Sequence, residues 1–200
     1  IISSVLSKTE LHTTIVKGYR LPRDIDDNTL IVATSIMGNT DETLSIAKSS
    51  INSPAKFISF SSGGLLEKFS TNNNQEHYHI EMNHSPRASL IDYLYSILNV
   101  LEELLPIKKY EMQESIDKLY NIQKIINTDN LTDTNPSLNL AYWIKEIPLV
   151  YYPWGLHSAA IRFKNSLQEN SKNHIIIEDI IEACHNGIVA WEKNSNIQPI

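Results

Sequence analysis

LIVATSIMGNTDETL, residues 30–44, is the stretch whose reading decides the fold. Leu30 to Ala33 is a short apolar run with β-branched residues, the pattern of a strand buried on both faces. Gly38 and Asn39 interrupt it and adopt tight-turn backbone angles at little steric cost. Thr40-Asp41-Glu42-Thr43 then opens a helix, with a hydroxyl N-cap in Thr40, acidic residues in the first turn, and Thr43 three residues beyond Thr40. Strand, polar turn and helix N-terminus together make a natural anion pocket. The turn offers N–H groups and the hydroxyls of Ser35 and Thr40, and the helix dipole favours negative charge. Such turns also serve as plain connectors, so the anion reading depends on what the rest of the rim supplies.

Working outward, the same pattern recurs. Thr13 to Lys17 reads as a strand before the central one. After the helix that ends near Ser50, Ser53-Pro54 breaks the chain and Ala55 to Phe60 is the next buried strand. Ser61-Ser62-Gly63-Gly64 is a second polar turn feeding a helix, Leu65 to Phe69, and Tyr78 to Met82 is a short strand. From Pro86, suited to a first helical turn, Leu90, Leu94, Ile97, Leu101 and Leu104 form one face of a long helix ending near Pro106. Strands alternating with helices imply βαβ units and a parallel sheet, an α/β fold whose ligands bind beyond the carboxyl ends of the strands. Both polar turns fall on that rim.

Glu111 to Ile126 and Pro136 to Lys145 read as two connecting helices, with Asn127 to Asn135 a polar hinge between them. The βα pattern then restarts: Ile147 to Tyr152 is a strand, Pro153-Trp154-Gly155 a turn, Leu156 to Glu169 a helix and Asn173 to Ile177 a strand. Two strands do not sustain a domain. Together with Ile1 in place of methionine and a polar tail after Glu192 with no closing helix, this reads as a piece of a longer enzyme.

The chain has 200 residues, a formal charge of −6 and no Lys/Arg-rich run, which argues against nucleic acid and polybasic membrane binding as partners. One cysteine, Cys184, excludes an internal disulfide and fits a reducing cytoplasm. No apolar run is long enough to span a bilayer. Cys184 reads as a buried, inert thiol. His77 and His79 alternate on one strand face, but no partner at ligand spacing accompanies them, so no metal is expected there. Arg162, Lys164, Gln168, Glu169, Asn170 and Lys172 cluster at a helix end, and Glu182-Ala183-Cys184-His185-Asn186-Gly187 comes after them. Alone, the first group is a solvated helix end, and His185 a capped or core histidine.

Five motifs in order change that reading: SxxGNTxET at Ser35 to Thr43, SSGG at Ser61 to Gly64, PRAxL at Pro86 to Leu90, RxKxxLxEN at Arg162 to Asn170, and HNxIVxW at His185 to Trp191. Together they resemble the bifunctional phosphoglucose/phosphomannose isomerase family, built on the sugar isomerase (SIS) fold, across nearly the whole chain. The SxxGNT element is shared by many SIS proteins, whereas the Glu-Asn and His-Asn elements at their spacing are specific to this branch. The resemblance implies an SIS-type three-layer α/β/α domain with a parallel sheet over 1–106, lacking its N-terminal strand-loop. It also implies connecting helices over 107–146 and the beginning of a second SIS domain over 147–200.

The family's activity, interconversion of glucose 6-phosphate and mannose 6-phosphate with fructose 6-phosphate, implies roles for residues here. Glu169 would shuttle the proton between neighbouring carbons. His185 would open the sugar ring, and Arg87 would stabilise the enediolate. Ser35, Gly38, Asn39 and Thr40 would hold the phosphate, with Ser61 and Ser62 weaker candidates on the same rim. No cofactor and no metal are expected, and the partners implied are a hexose 6-phosphate and a second copy, the site lying at a homodimer interface in the cytoplasm. Two departures stand out. Met37 replaces a hydroxyl expected in the phosphate turn, and Gly187 replaces a glutamate beside the histidine. These favour a rival reading, a non-catalytic sugar-phosphate-binding SIS module. Arg87, Glu169 and His185 favour the enzyme, since a binding module needs no proton shuttle.

Overall fold

The computed structural model describes residues 1–200, which divide into two compact units, Ile2–Pro106 and Ile107–Ile200, the latter together with Ile1. Each is built on its own three-stranded parallel sheet.

In the first unit a short helix α1 (Ile2–Leu6) precedes β1 (Leu30–Thr34), α2 (Asp41–Ser50), β2 (Lys56–Ser61), α3 (Gly64–Asn72), β3 (Glu76–His79) and α4 (Leu90–Val100). The strands pair in the order β1-β2-β3, with Ile31 opposite Phe57, Ser59 opposite His77 and Ser61 opposite His79. β2 is central, and every residue after Lys56 is buried. β1 is an edge strand and alternates instead: Ile31 and Ala33 enter the core, while Val32 is 38% exposed. The expectation that Leu30 to Ala33 is buried on both faces is therefore corrected to one face. That face packs against Leu44, Ile46 and Ala47 of α2, Phe57 of β2 and Leu66 of α3, with Leu21 and Ile25 at the margin. On the far side of β2, Phe60 stacks on Tyr78 with ring centroids 5.0 Å apart.

Thr13 to Lys17, expected as a strand, is irregular and largely exposed, with Ile15 66% accessible. Its β-branched residues have no neighbouring strand, and isolated extended chain is not stabilised by propensity alone. The helix expected from Pro86 to Pro106 is three pieces: a 3₁₀ turn at Pro86–Ala88, α4, and a 3₁₀ turn at Glu102–Leu104. The buried residues are Tyr93, Leu98, Leu101 and Leu105, and Leu104 lies outside. Tyr93 sets this rotation by donating its hydroxyl to the Ile36 carbonyl at 3.0 Å. The tighter 3₁₀ turn then brings Leu105 inward where an α-helix would have brought Leu104.

The two βα turns of this unit are locked together. Ser62 donates both its N–H (2.8 Å) and its hydroxyl (2.7 Å) to the Ile36 carbonyl. Leu66 N–H reaches the Gly38 carbonyl at 2.9 Å, and Leu65 N–H reaches Asn39 Oδ1 at 3.0 Å, so the first turn caps the helix that leaves the second. The backbones touch at glycines. A Cβ on Gly38 (φ +72) would lie 1.9 Å from the Gly63 carbonyl oxygen, and one on Gly64 (φ +74) would lie 2.3 Å from the Met37 carbonyl oxygen.

In the second unit α5 (Lys109–Ile126) and α6 (Pro136–Trp143) lead into β4 (Ile147–Tyr152), α7 (His157–Ser166), β5 (Ile176–Asp179), α8 (Ile180–His185) and β6 (Ile197–Pro199). The segment 107–146 thus clusters with the second sheet and not with the first. The strand order is β5-β4-β6. The polar tail is a strand: Ile197 pairs with Ile147, and Ile200 N–H donates to the Leu149 carbonyl at 2.8 Å. β6 is an edge strand, where Pro199 is tolerated. The strand expected from Asn173 to Ile177 begins three residues later, because Lys172 turns the chain through a left-handed conformation (φ +60) as the preceding helix ends. No helix is long and apolar enough to cross a membrane.

Replacing Gly38 by alanine is expected to lower the unfolding free energy by about 2 kcal/mol or more, since strain and a backbone collision coincide. Gly18→Ala, with nothing within 4 Å of the new methyl, is expected to change it by less than about 1 kcal/mol. Urea unfolding of both checks this; equal effects would mean that the close approach is not what demands glycine. In the same assay Leu66→Ala, at a fully buried position, is expected to cost about 2–5 kcal/mol and its exposed neighbour Leu65→Ala less than about 0.5 kcal/mol.

Candidate functional site

The carboxyl edge of the first sheet gathers the polar turns. Ser35 comes directly after β1, is 5% exposed, and its Oγ meets Thr40 Oγ1 at 2.9 Å. Thr40 occupies the N-cap position of α2 in an extended conformation, but its hydroxyl makes no capping hydrogen bond. The expected cap is thus replaced by the Ser35–Thr40 pair. The first-turn amides of α2, which have no partner within the helix, are left uncapped by it. That pairing presents two hydroxyls beside a positive helix end, the combination an anion needs. Asp41 and Glu42 in the same turn complement the dipole from within and oppose a bound anion.

The other candidates on this edge divide by what already occupies them. Gly38 is buried against Gly63 and donates its N–H to the Ser35 carbonyl at 3.0 Å, shaping the turn. Asn39 spends its carbonyl oxygen on the first turn of α3, although the residue is exposed. Ser62 is half-buried and its hydroxyl proton is committed to Ile36. Ser61 has no exposed surface; its Oγ donates to the Gly63 carbonyl at 2.7 Å and accepts from Gly63 N–H at 3.2 Å. Ser61 therefore builds the turn and does not face a ligand. Met37 is 55% exposed at the tip. Arg87 lies exposed in the 3₁₀ turn before α4.

In the second unit, Glu169 lies in a π-helical turn, Leu167–Ser171, at the end of α7. π turns widen the backbone locally and recur at functional sites. Glu169 is exposed, and Lys172 folds back to donate its ammonium to the Glu169 carbonyl at 2.6 Å, holding the turn closed. His185 is the last residue of α8 and is exposed. α8 starts directly from β5, because Asp179 ends the strand and accepts from Ile181 N–H at 2.8 Å as the helix cap. Asn186 donates its N–H to the Glu182 carbonyl at 2.9 Å and closes the helix. A Cβ on Gly187 would lie 3.3 Å from both carboxylate oxygens of Glu178. Cys184, expected to be buried, is exposed: it lies on the outer side of a six-residue helix whose only buried residue is Ala183. A shallow apolar depression of about 230 Å³ near the end of β4, lined by residues such as Tyr152, Leu156 and Phe163, offers no charged group to a sugar phosphate.

The histidine pair on β3 is not alone. Glu67 of α3 brings its Oε1 to 3.3 Å from His79 Nδ1, and the ligand atoms of Glu67, His77 and His79 lie within 4.8 Å of one another. The expectation that no partner accompanies the two histidines is corrected. Glu67 is ten residues away in sequence on a different element, and only the packing of α3 on the sheet unites them. Burial lowers the His77 pKa below the usual histidine value, keeping the ring neutral. Sequence reasoning also missed Tyr93, whose place in an apolar helix face concealed its hydrogen bond to the first turn.

Known proteins share this geometry and parts of this sequence. Residues 133–200 match the family described as bacterial phospho-glucose isomerase C-terminal SIS domain. The chain is 29% identical over 198 residues to a bifunctional phosphoglucose/phosphomannose isomerase of Caldicellulosiruptor bescii, covering 96% of this chain and 58% of that protein. It is 31% identical over 201 residues to the enzyme of the same name from Aquifex aeolicus, covering 96% and 59%. A D-glucosamine-6-phosphate 4-epimerase of Sulfolobus acidocaldarius is 26% identical over 191 residues, covering 92% and 57%. The chain thus spans somewhat under three-fifths of the length of these relatives. Among solved structures, tagatose-6-phosphate ketose/aldose isomerase from Escherichia coli superposes with a TM-score of 0.63 at 13% identity, covering 88% of this chain and 49% of that one. The C-terminal domain of glucosamine-fructose-6-phosphate aminotransferase from Francisella tularensis gives 0.59 at 18%, covering 90% and 52%. At these identities the structural likeness establishes the α/β SIS fold and nothing finer. Residues 133–200 thus match the C-terminal SIS domain of bacterial phosphoglucose isomerases, and the chain as a whole is similar to the bifunctional phosphoglucose/phosphomannose isomerases.

Proposed function

We propose that the chain serves aldose–ketose isomerisation of hexose 6-phosphates, interconverting glucose 6-phosphate, and also mannose 6-phosphate, with fructose 6-phosphate through a cis-enediol and without a metal at the reacting carbons. The observation that carries this reading is the presence of Glu169 and His185, one carboxylate and one imidazole, both exposed at helix ends in a chain related to enzymes of that name.

Each residue has its own part. Ser35 and Thr40, with the first-turn amides of α2, bind the phosphate, and Gly38 and Asn39 keep the turn in shape. Ser62 contributes at most its oxygen, and Ser61 supports from beneath. His185 takes the proton from the anomeric hydroxyl and returns one to the ring oxygen, which opens the ring. Glu169 removes the proton from C2 of the open aldose, leaving an enediolate; the proton of the C2 hydroxyl passes to O1, and the Glu169 carboxylic acid delivers its proton to C1, giving the ketose. Arg87 stabilises the negative oxygen of the enediolate. The resemblance brings with it a homodimer, and a phosphorylated sugar substrate together with a lone cysteine fits the cytoplasm.

The test is turnover of fructose 6-phosphate by the full-length protein in chelator, monitoring glucose 6-phosphate and mannose 6-phosphate. Glu169→Gln is expected to lower kcat by about 10²–10⁴-fold while substrate binding is kept. Binding of fructose 6-phosphate without turnover by the unmodified protein would support the non-catalytic module, with Met37 and Gly187 as its signature. Neither binding nor turnover would overturn both readings.

A further inference from the structure

The cluster of Glu67, His77 and His79 takes no part in the isomerisation steps, and its chemistry is distinct from theirs. We propose that these three side chains form a binding site for one divalent transition-metal ion, with zinc the best match, at the carboxyl edge of the first sheet.

The register of the sheet supplies the geometry. Pairing of β2 with β3 sets His77 opposite Ser59 and His79 opposite Ser61. The two histidines are alternate residues and share the face that α3 covers. Glu67 lies in the first turn of α3, so its carboxylate reaches the same spot. In a tetrahedral zinc site with bonds of about 2.0–2.2 Å, neighbouring ligand atoms are about 3.4 Å apart. The Glu67–His79 pair already stands at 3.3 Å, and all three ligand atoms lie within 4.8 Å, a gap that small side-chain rotations close. Two imidazoles and one carboxylate are a donor set of zinc sites, and three protein ligands leave a fourth position for water or an incoming oxygen.

A hydrogen-bond chain lies behind His77. Its Nδ1 stands 2.7 Å from Ser59 Oγ, which stands 2.7 Å from Ser70 Oγ, and Ser70 Oγ is 3.0 Å from the Leu66 carbonyl. With its proton on Nδ1, His77 donates to Ser59 and leaves Nε2 for a metal. The hydroxyl nearest to Nε2, Ser61 Oγ at 3.3 Å, also lies 2.7 Å from the Gly63 carbonyl, to which it donates. An imidazole held at one ring nitrogen by a buried partner, with the other nitrogen facing the ligand position, is the arrangement that orients metal-binding histidines. The site is also reachable, since the side chains of His79 and Glu67 are 54% and 39% exposed.

The experiment is calorimetric titration of the full chain, stripped with chelator and desalted, with zinc chloride at pH 7.5 and separately with magnesium chloride. One equivalent of zinc is expected to bind at micromolar affinity or tighter, with no comparable heat from magnesium. Glu67→Gln and His79→Ala are each expected to weaken zinc at least tenfold. Ser59→Ala, which removes the orienting partner and leaves all three ligands, is expected to weaken it by about ten- to a hundredfold. His174→Ala, at an exposed histidine of the second unit, is expected to change nothing. Should a ligand variant fail to fold by circular dichroism, cobalt(II) added to the unmodified protein decides the matter, since a tetrahedral site with nitrogen donors gives visible absorption and a hydrated surface ion does not. Zinc binding unaltered in both Glu67→Gln and His79→Ala, or no stoichiometric zinc and no cobalt spectrum, would overturn the proposal. None of these readouts depends on isomerase activity, so this inference and the isomerase reading fail separately.

Discussion

The Gly63 carbonyl lies so close to Gly38 that a methyl group there would sit 1.9 Å from its oxygen. That approach is possible only because Gly38 carries no side chain, and because Gly38 and Gly64 both accept positive φ. Once the two backbones touch, the Ile36 carbonyl comes within reach of Ser62 N–H, the Ser62 hydroxyl and the Tyr93 hydroxyl. One acceptor thus collects three donors from the second turn and from α4. The edge of the sheet is held as a single piece by hydrogen bonds half-shielded from water, where each is worth more than at the surface.

A consequence is that the polar groups along this edge divide into two kinds. Asn39, Ser61 and Ser62 turn their polar atoms toward the chain and hold the turns against each other. Ser35 and Thr40 bond to one another, and the first turn of α2 is not capped by Thr40. A hydroxyl pair with mobile protons adapts to an incoming anion more readily than groups whose protons are fixed on carbonyls. The same logic separates the histidines from the first turn. The serine chain under His77 runs toward the Leu66 carbonyl in α3, so it orients the ring without drawing on any group of the first turn.

How much of this was legible in the sequence depends on whether the signal was local. β1, α2, β2, α3, β4 and the start of α7 carry their own periodicity and turn residues, and their reading needed no knowledge of neighbours. Thr13 to Lys17 has the composition of a strand but no partner, which composition cannot reveal. α8 and β6 escaped notice for a different reason. Asp179 ends a strand and caps a helix at once, so no loop marks the change, and Pro199 demotes a short run that pairs only because it lies at an edge. At the site, the Ser35 to Thr40 turn was visible as a pattern, whereas the burial of Ser61 and the company of Glu67 come from the β2–β3 register and from α3. Both are long-range facts. The alternation of Ser59 and Ser61 with His77 and His79 could have suggested that register, but only to a reader who already knew that the strands pair.

The two departures from the family pattern look different once each is placed. Met37 stands at the tip of its turn, more than half exposed, and the backbone beneath it is fixed by the glycine contact whatever side chain it carries. A methionine there leaves Ser35, Thr40 and the α2 amides undisturbed, so under the proposed phosphate role the substitution removes one hydroxyl and leaves the rest of the turn intact. Gly187 is the more informative. The Glu178 carboxylate already lies against it, 3.3 Å from where a Cβ would stand. A glutamate side chain starting from that point would carry a second negative charge into contact with the first, and like charges that close raise one another's pKa and repel. Glycine at 187 is therefore matched to glutamate at 178: the chain keeps a carboxylate at the turn after His185, supplied from β5 instead of from the turn itself. Under the proposed isomerase reading, a carboxylate at this turn is thus supplied by Glu178 and needs no acidic side chain at 187.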